Sequence, residues 1–373
     1  MRINWDNDES HYIYNGDFFP QDLLPQKKGI IWLSTSGSSG GQKLVALSKQ
    51  AFLISAYSVN QFINSDKNDV WLNLLPLNHV GGLAVLARAH LSGARVVQEK
   101  WENWKTMDLL QVLTDQRISL MSLVPTHVFD IVQKNLKAPE HLRCIFVGGG
   151  KLSESLYVQA RKLGWNLLPT YGMTECCSQV ATAPLSSLDS YDFPKAQVLP
   201  HMKLRIDKNG TLIIKSDALL NCYVYPDGKA VTVFDPIDKG WFTTEDIVEL
   251  STSDAGETYL NFLSRKSDTV KVLGELVNLT QLNFQFKEFM LRRDAFNKLG
   301  LTTVEGSFKL LAHKNERAEN QIDLLIAASD FFLVLPFVSE FNQTVKSFEK
   351  IQNVYLYKEI PKGNLNKPIL RVY

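Results

Sequence analysis

The chain has 373 residues, enough for two hydrophobic cores rather than one. Hydrophobic residues make up 45% and charged residues 21%, which argues against disorder as the dominant state. Forty Lys and Arg against 39 Asp and Glu leave a net charge of +1, with no basic field to hold nucleic acid.

No run reaches the roughly 18 apolar residues of a membrane span. The most apolar tract, 324–338, is broken by Ser329, Asp330 and Pro336. The opening MRINWDNDES lacks the apolar region of a signal peptide. The four cysteines, Cys144, Cys176, Cys177 and Cys222, include no CxxC pair. They suggest neither zinc nor a disulfide scaffold, and a reducing cytoplasm is the expected compartment.

In chain order, residues 1–27 read as irregular. GIIWL (29–33) reads as a short buried strand. It enters a Gly/Ser loop, STSGSSGGQK (34–43), and a helix is expected next. Ser48 can cap that helix, with Phe52, Ala56, Val59 and Ile63 on one face. VWLNLLPL (70–77) and the end of LSGARVVQE (91–99) read as strands. Residues 104–118 read as a helix with Met107, Leu110, Leu113 and Ile118 on one face. LRCIFVGGG (142–150) is a strand and a glycine turn, and 153–164 is a helix capped by Ser153 and closed by Gly164. Alternating strand and helix predict an α/β fold with helices packed on sheets. After residue 195 the texture changes to strands, beginning with a hairpin turning at Lys208-Asn209-Gly210. FLSRKSD (262–268) is a polar break, and the last ~105 residues mix helix and strand. The expected division is a large domain over 1–266 and a small α+β domain over 267–373.

The loop 34–43 is the first segment that carries chemistry. Its glycines let backbone approach a ligand, and its amides and hydroxyls can surround phosphate oxygens. Lys43 adds a mobile cation. It is not a Walker A loop, because Gln42 precedes Lys43 and Leu44 follows it. In TYGMTECCSQ (170–179), Tyr171 can stack on a base and Gly172 permits close approach. The Thr174 hydroxyl can bond a phosphate, and Glu175 can hold Mg²⁺, a hard cation that prefers oxygen.

TSGSSGGQK resembles the phosphate loop of acyl-adenylate-forming enzymes, with Gln42 where the family usually has Pro. Five more segments resemble that family in family order: LPLNHVGGL, FVGGGKLS with TYGMTECCSQ, GWFTTED, SRKSDTVKVLGELVN and PKGNLNKPILR. The contexts HVGGL and GMTECCSQ resemble its o-succinylbenzoate–CoA ligase branch in particular. The phosphate loop begins near residue 34, far earlier than in most members, as a short form would have it.

The resemblance implies a large domain of sheets flanked by helices and a small mobile domain. It implies ATP and Mg²⁺, with CoA as co-substrate, an aromatic carboxylic acid as substrate, and no nucleic-acid partner. Thr35, Ser36, Gly37, Ser38, Ser39 and Gly40 would cradle phosphate. Gly149, Gly150, Tyr171, Gly172 and Met173 would bind the nucleotide, with Asp246 and Arg265 on its ribose or phosphate. Glu175 would hold the metal. Lys367, Lys43, His79 and Thr174 would be catalytic. His79, Gly82, Gly148 and Ser178 would line the acid pocket, and Arg88 and Ser178 are candidates for the acid's free aliphatic carboxylate. Ser267 and Asp268 fall at the hinge. Departures stand at Glu245, where the family has Gly, and in the tail at Gly363, Asn366 and Pro368. The open alternatives are another aryl or fatty acid, or a non-catalytic ATP-binding relative.

Overall fold

A computed structural model describes residues 3–14, 21–36, 42–99, 108–227, 230–301, 307–315 and 317–357. The chain divides into two compact units. One comprises Met1–Thr244 and Val248–Phe262, the other Glu245–Ile247 and Leu263–Tyr373.

The first unit contains a five-stranded sheet. Ile30–Ser36 and Gln42–Ser48 form an antiparallel hairpin, with Thr35 opposite Lys43. His11–Ile13 lies parallel to the first strand, and Cys222–Asp227 lies antiparallel to the second. Two expectations change here. The segment 1–27 holds a short strand and a helical turn at Gln21–Leu23. The Gly/Ser loop also sits at a hairpin tip, between two strands, and not between a strand and a helix. The reason is that Leu44, Val45, Ala46 and Leu47 are all buried, so this strand has no polar face to betray it. One face of the sheet packs Ile31, Leu33, Val45, Leu47 and Tyr223 into one core. The other packs Ile30, Trp32, Leu44, Ala46 and Val224 into a second.

The helix Lys49–Phe62 follows, capped by Ser48, whose hydroxyl accepts from the Ala51 amide at 3.0 Å. Phe52, Ala56, Val59 and Ile63 are buried as their spacing predicts.

A second, larger sheet begins as a parallel array in the order Arg95–Gln98, Val70–Asn73, Leu120–Leu123, Cys144–Val147, Leu167–Met173. Connecting helices include Val80–Ser92, Leu109–Asp115, Pro125–Gln133 and Glu154–Lys162. Leu110 and Leu113 fall on a helix as expected, while 104–107 lie outside the described residues. Ser178–Thr182 then runs antiparallel to Leu167–Met173 and joins this array to an antiparallel half. The predicted hairpin is there, Lys203–Ile206 against Thr211–Lys215, with Gly210 at φ +78. All four cysteines are buried, and none is in a disulfide.

The second unit has its own core around Phe286, Phe341, Ile322 and Leu324. Helices Leu279–Arg292 and Phe331–Asn342 pack with the three-stranded sheet Phe308–Asn315, Glu319–Ile326 and Ile351–Leu356. Among the described residues, no helix is long and apolar enough to cross a membrane.

One ion pair ties the parallel sheet together. Asp69, 3% exposed, receives both Oδ contacts from Arg143 Nη1 at 2.6 Å and the Ser119 hydroxyl at 2.7 Å. Arg143 Nη2 also donates to the Ile63 carbonyl at 2.8 Å, fixing the end of the first long helix. Burial pushes the Asp69 carboxyl up. The hydrogen bonds from Arg143 and Ser119 and the Arg143 charge outweigh it, and the net shift is downward. A pKa lower in the folded than in the unfolded state gives stability that is present above pH about 4 and lost as pH falls through the folded value. Urea titrations from pH 7 to pH 2.5 should therefore show an acid loss that Asp69→Asn reduces, beside a lower stability at pH 7. An unchanged acid limb in Asp69→Asn would contradict this.

Candidate active site

The segment 170–179 is shaped by two close approaches. At Gly172 a Cβ would stand 1.9 Å from the Ser178 carbonyl oxygen, so no larger residue fits there. The chain then makes a helical turn, Thr174–Cys176, and returns with Cys177 at φ 52 and Ser178 at φ 113. Two successive non-glycine residues in that region cost about 1–3 kcal/mol each and persist only where packing imposes them. Cys176 and Cys177 supply that packing, both fully buried.

This turn aims groups in two directions. Toward the hairpin, Glu175 meets Lys43, with Nζ to Oε1 at 3.7 Å. Tyr223 donates its hydroxyl to the same Oε1 at 2.8 Å, and its ring lies under the ammonium, 3.7 Å from centroid to Nζ. Burial, then the Glu175 charge, pushes the Tyr223 phenol well up, so it stays a donor. The Glu175 carbonyl accepts from the Leu220 amide at 2.8 Å. Thr35 stands opposite Lys43, with a buried hydroxyl that lacks a partner among the described residues. Thr35, Lys43, Glu175 and Tyr223 thus form one polar mouth at the hairpin's edge, and Thr174 precedes Glu175 in the turn. Its donor set is a carboxylate and hydroxyls. Such hard oxygens fit a magnesium ion that is held largely by substrate phosphates.

Toward the interior, Ser178 Oγ accepts from Arg88 Nη2 at 3.4 Å. Arg88 is 2% exposed and packs against the rings of Trp71 and Phe146, 5.8 and 5.2 Å from their centroids. It has no ion pair among the described residues, and its Nε has no hydrogen-bond partner there. Burial lowers its pKa to about 9, so it is still a cation at neutral pH. His201 lies within range of that charge. Burial, then Arg88, lowers its pKa to about 4, and both its ring nitrogens are buried without partners among the described residues.

The remaining expected residues fall as follows. Tyr171 and Met173 lie on Leu167–Met173, and Tyr171 stacks on Phe262 at 5.9 Å, which covers part of its ring. Gly148, Gly149 and Gly150 follow the neighbouring strand, and the Gly148 amide donates to Leu123 at 3.1 Å. His79 is the cap of Val80–Ser92 without a side-chain capping bond. Gly82 lets that helix press on the preceding turn, for a Cβ there would lie 2.5 Å from the Pro76 carbonyl oxygen. Ser36 ends its strand, opposite Gln42. Gly37, Ser38, Ser39, Gly40 and Lys367 lie outside the described residues.

In the second unit, buried Asp246 pairs with Arg265 at 3.2 Å. Ser267 and Asp268 lie in the turn Lys266–Asp268, and the Asp268 carboxylate accepts from the Thr280 hydroxyl. Sequence reasoning missed Tyr223 and His201. Neither sits at a spacing that marks chemistry: strand pairing reveals Tyr223, and His201, in a turn, is revealed by its place near Arg88.

Residues 17–224, more than half the chain, match the family described as AMP-binding enzyme, and the chain belongs to that family. It is 31% identical over 262 residues to the 2-succinylbenzoate–CoA ligase of Staphylococcus aureus strain MSSA476, covering 68% of this chain and 51% of that one. The protein of strain MRSA252 is 32% identical over the same length. The chain thus spans about half the length of the curated relatives it matches. Its fold is that of the o-succinylbenzoate CoA synthetase of Bacillus subtilis. The complex of that enzyme with the acyl-adenylate intermediate OSB-AMP superposes with a TM-score of 0.71 at 20% identity, over 91% of this chain and 67% of that one. The complex with ATP and magnesium ion gives 0.69 at 21% identity, over 90% and 68%.

Replacing Gly172 by Ala places a methyl carbon against backbone that cannot move without displacing Ser178. We expect a loss of at least about 1–3 kcal/mol in stability. A thermal melt unchanged within error would contradict the close approach.

Proposed function

We propose that the chain is an ATP-dependent acid–CoA ligase that adenylates o-succinylbenzoate and forms o-succinylbenzoyl-CoA, AMP and pyrophosphate. The observation that carries this reading is Arg88. A buried cation without an anionic partner is costly, and it is compensated when a ligand brings the anion. With the chain carboxylate adenylated, the diacid's ring carboxylate is left for Arg88 and Ser178, in place of the aliphatic one the sequence suggested, and its ring for the apolar wall of Trp71 and Phe146. The names of the relatives point the same way.

A carboxylate resists attack because it is anionic and its leaving group is poor. In the proposed first half-reaction the acid's oxygen attacks the α-phosphorus and pyrophosphate departs. Negative charge gathers on the phosphate oxygens. Lys43 neutralises it, Thr35 and Thr174 donate hydrogen bonds, and Lys367 bridges carboxylate and phosphate. Glu175 is the residue to hold a magnesium ion, which would supply further charge neutralisation. Gly37, Ser38, Ser39 and Gly40 close around the phosphates, and Tyr171 borders the base. In the second half-reaction the thiol sulfur of CoA attacks the acyl carbon and AMP leaves. His79 stands where acyl group and thiol meet. Asp246 and Arg265 serve the ribose. In this reading residues 267–373 form a mobile domain that turns at Ser267–Asp268 between the two halves. A cytoplasmic setting goes with buried cysteines that form no disulfide and with ATP and CoA as substrates.

The test is pyrophosphate release with Mg·ATP and a panel of acids, with and without CoA, and mass analysis of the products. Selective release with o-succinylbenzoate and formation of its CoA thioester is expected. Release with another acid alone would discard the substrate, and silence with ATP still bound would discard the ligase. Arg88→Met should raise the KM for the diacid by roughly 10- to 100-fold while ATP binding stays within twofold. Equal losses for both would contradict the assignment. Lys367→Ala should slow adenylation by about 10²-fold or more, and thioester formation from supplied acyl-adenylate far less. Equal slowing of both halves would remove Lys367 from its role.

A further inference from the structure

Tyr223 belongs to none of the segments on which the family resemblance rests. It stands in the strand Cys222–Asp227, directly opposite Val45. Lys43 is two residues from Val45 and therefore on the same face of the sheet, diagonal to Tyr223 and within reach of a long side chain. Two properties of one tyrosine are used there. Its hydroxyl donates to Glu175 Oε1 at 2.8 Å, and its ring face lies 3.7 Å from the Lys43 ammonium.

Both contacts converge on a single carboxylate oxygen, since Lys43 Nζ also lies 3.7 Å from Oε1. A carboxylate bonded through one oxygen is fixed in rotation, and its other oxygen points in a set direction. The lysine is held more loosely. A ring quadrupole and a carboxylate at 3.7 Å attract an ammonium without a close hydrogen bond. A phosphate anion offers that ammonium a short charged hydrogen bond, which is the stronger contact.

We propose that Tyr223 is a positioning residue of the nucleotide site. Its hydroxyl aims the Glu175 carboxylate for a divalent cation, and its ring seats the Lys43 ammonium until phosphate draws it away. This rests on the reading of the hairpin mouth as a nucleotide site. It predicts that the hydroxyl and the ring act on different partners and can be separated by substitution. Tyr223→Phe removes the aim of Glu175 and keeps the seat of Lys43. Tyr223→Leu removes both.

The experiment follows binding, not turnover. Free Mn²⁺ is measured by its electron paramagnetic resonance signal in titrations of the protein with ATP. ATP binding in EDTA is measured in parallel, and Lys43 acylation by an amine reagent is followed by mass spectrometry without ligand. Tyr223→Phe should weaken Mn²⁺·ATP binding three- to tenfold, leave ATP binding in EDTA within twofold, and leave Lys43 acylation unchanged. Tyr223→Leu should in addition raise Lys43 acylation severalfold. Mn²⁺·ATP binding by Tyr223→Phe as tight as in the unaltered protein would overturn the proposal. If Tyr223→Leu does not fold, Tyr223→Phe decides alone. An unaltered protein that binds no ATP would overturn the nucleotide reading, and this proposal with it. Binding of ATP that Mn²⁺ does not strengthen would overturn this proposal alone.

Discussion

The contact of Gly172 with the Ser178 carbonyl is the constraint on which the site depends. It forces the strand Leu167–Met173 and its returning partner Ser178–Thr182 so close that only a hydrogen fits between them. The turn between these strands then has few ways to close. It closes through Thr174–Cys176 and through left-handed Cys177 and Ser178. Buried Cys176 and Cys177 hold this arrangement from below. The strain is stored where the chemistry is proposed, and packing around two cysteine side chains maintains it.

From this turn, charge is distributed to two places. Glu175 faces the hairpin and meets Lys43 and Tyr223. Ser178 faces the interior and meets Arg88. The first place is half-open and carries balanced charge, suited to a ligand that brings phosphates and a metal. The second is buried and carries a cation with no ion pair among the described residues, suited to a ligand that brings a carboxylate and a ring. Only Cys176 and Cys177 stand between Glu175 and Ser178 in the chain, so one diacid can keep its second carboxylate at Arg88 while its first lies near the phosphates. That proximity is what attack of a carboxylate oxygen on phosphorus requires.

Much of this was legible in the sequence because local chemistry repeated the global answer. Ser48 reads as a cap and is one, and the spacing of Phe52, Ala56, Val59 and Ile63 places them in the core. The turn 170–179 carries Gly, Thr and Glu at spacings that few other roles explain. What escaped did so for physical reasons. The strand Gln42–Ser48 is buried on both faces and shows no alternation, so its hairpin looked like a loop leading to a helix. Tyr223 acts through a cross-strand neighbour that no local spacing predicts. His201 matters only because folding brings it within range of Arg88. Arg88 could be named as a candidate, but its burial without a counter-charge among the described residues is a property of the fold.

The central claim is that Arg88 awaits an anion carried by the substrate. Calorimetric titration in the presence of AMP tests it, comparing o-succinylbenzoate with 4-oxo-4-phenylbutanoate, which keeps the ring and lacks the ring carboxylate. The account predicts that the diacid binds at least tenfold more tightly, and that Arg88→Met abolishes the difference. Equal affinities in the unaltered protein would contradict it.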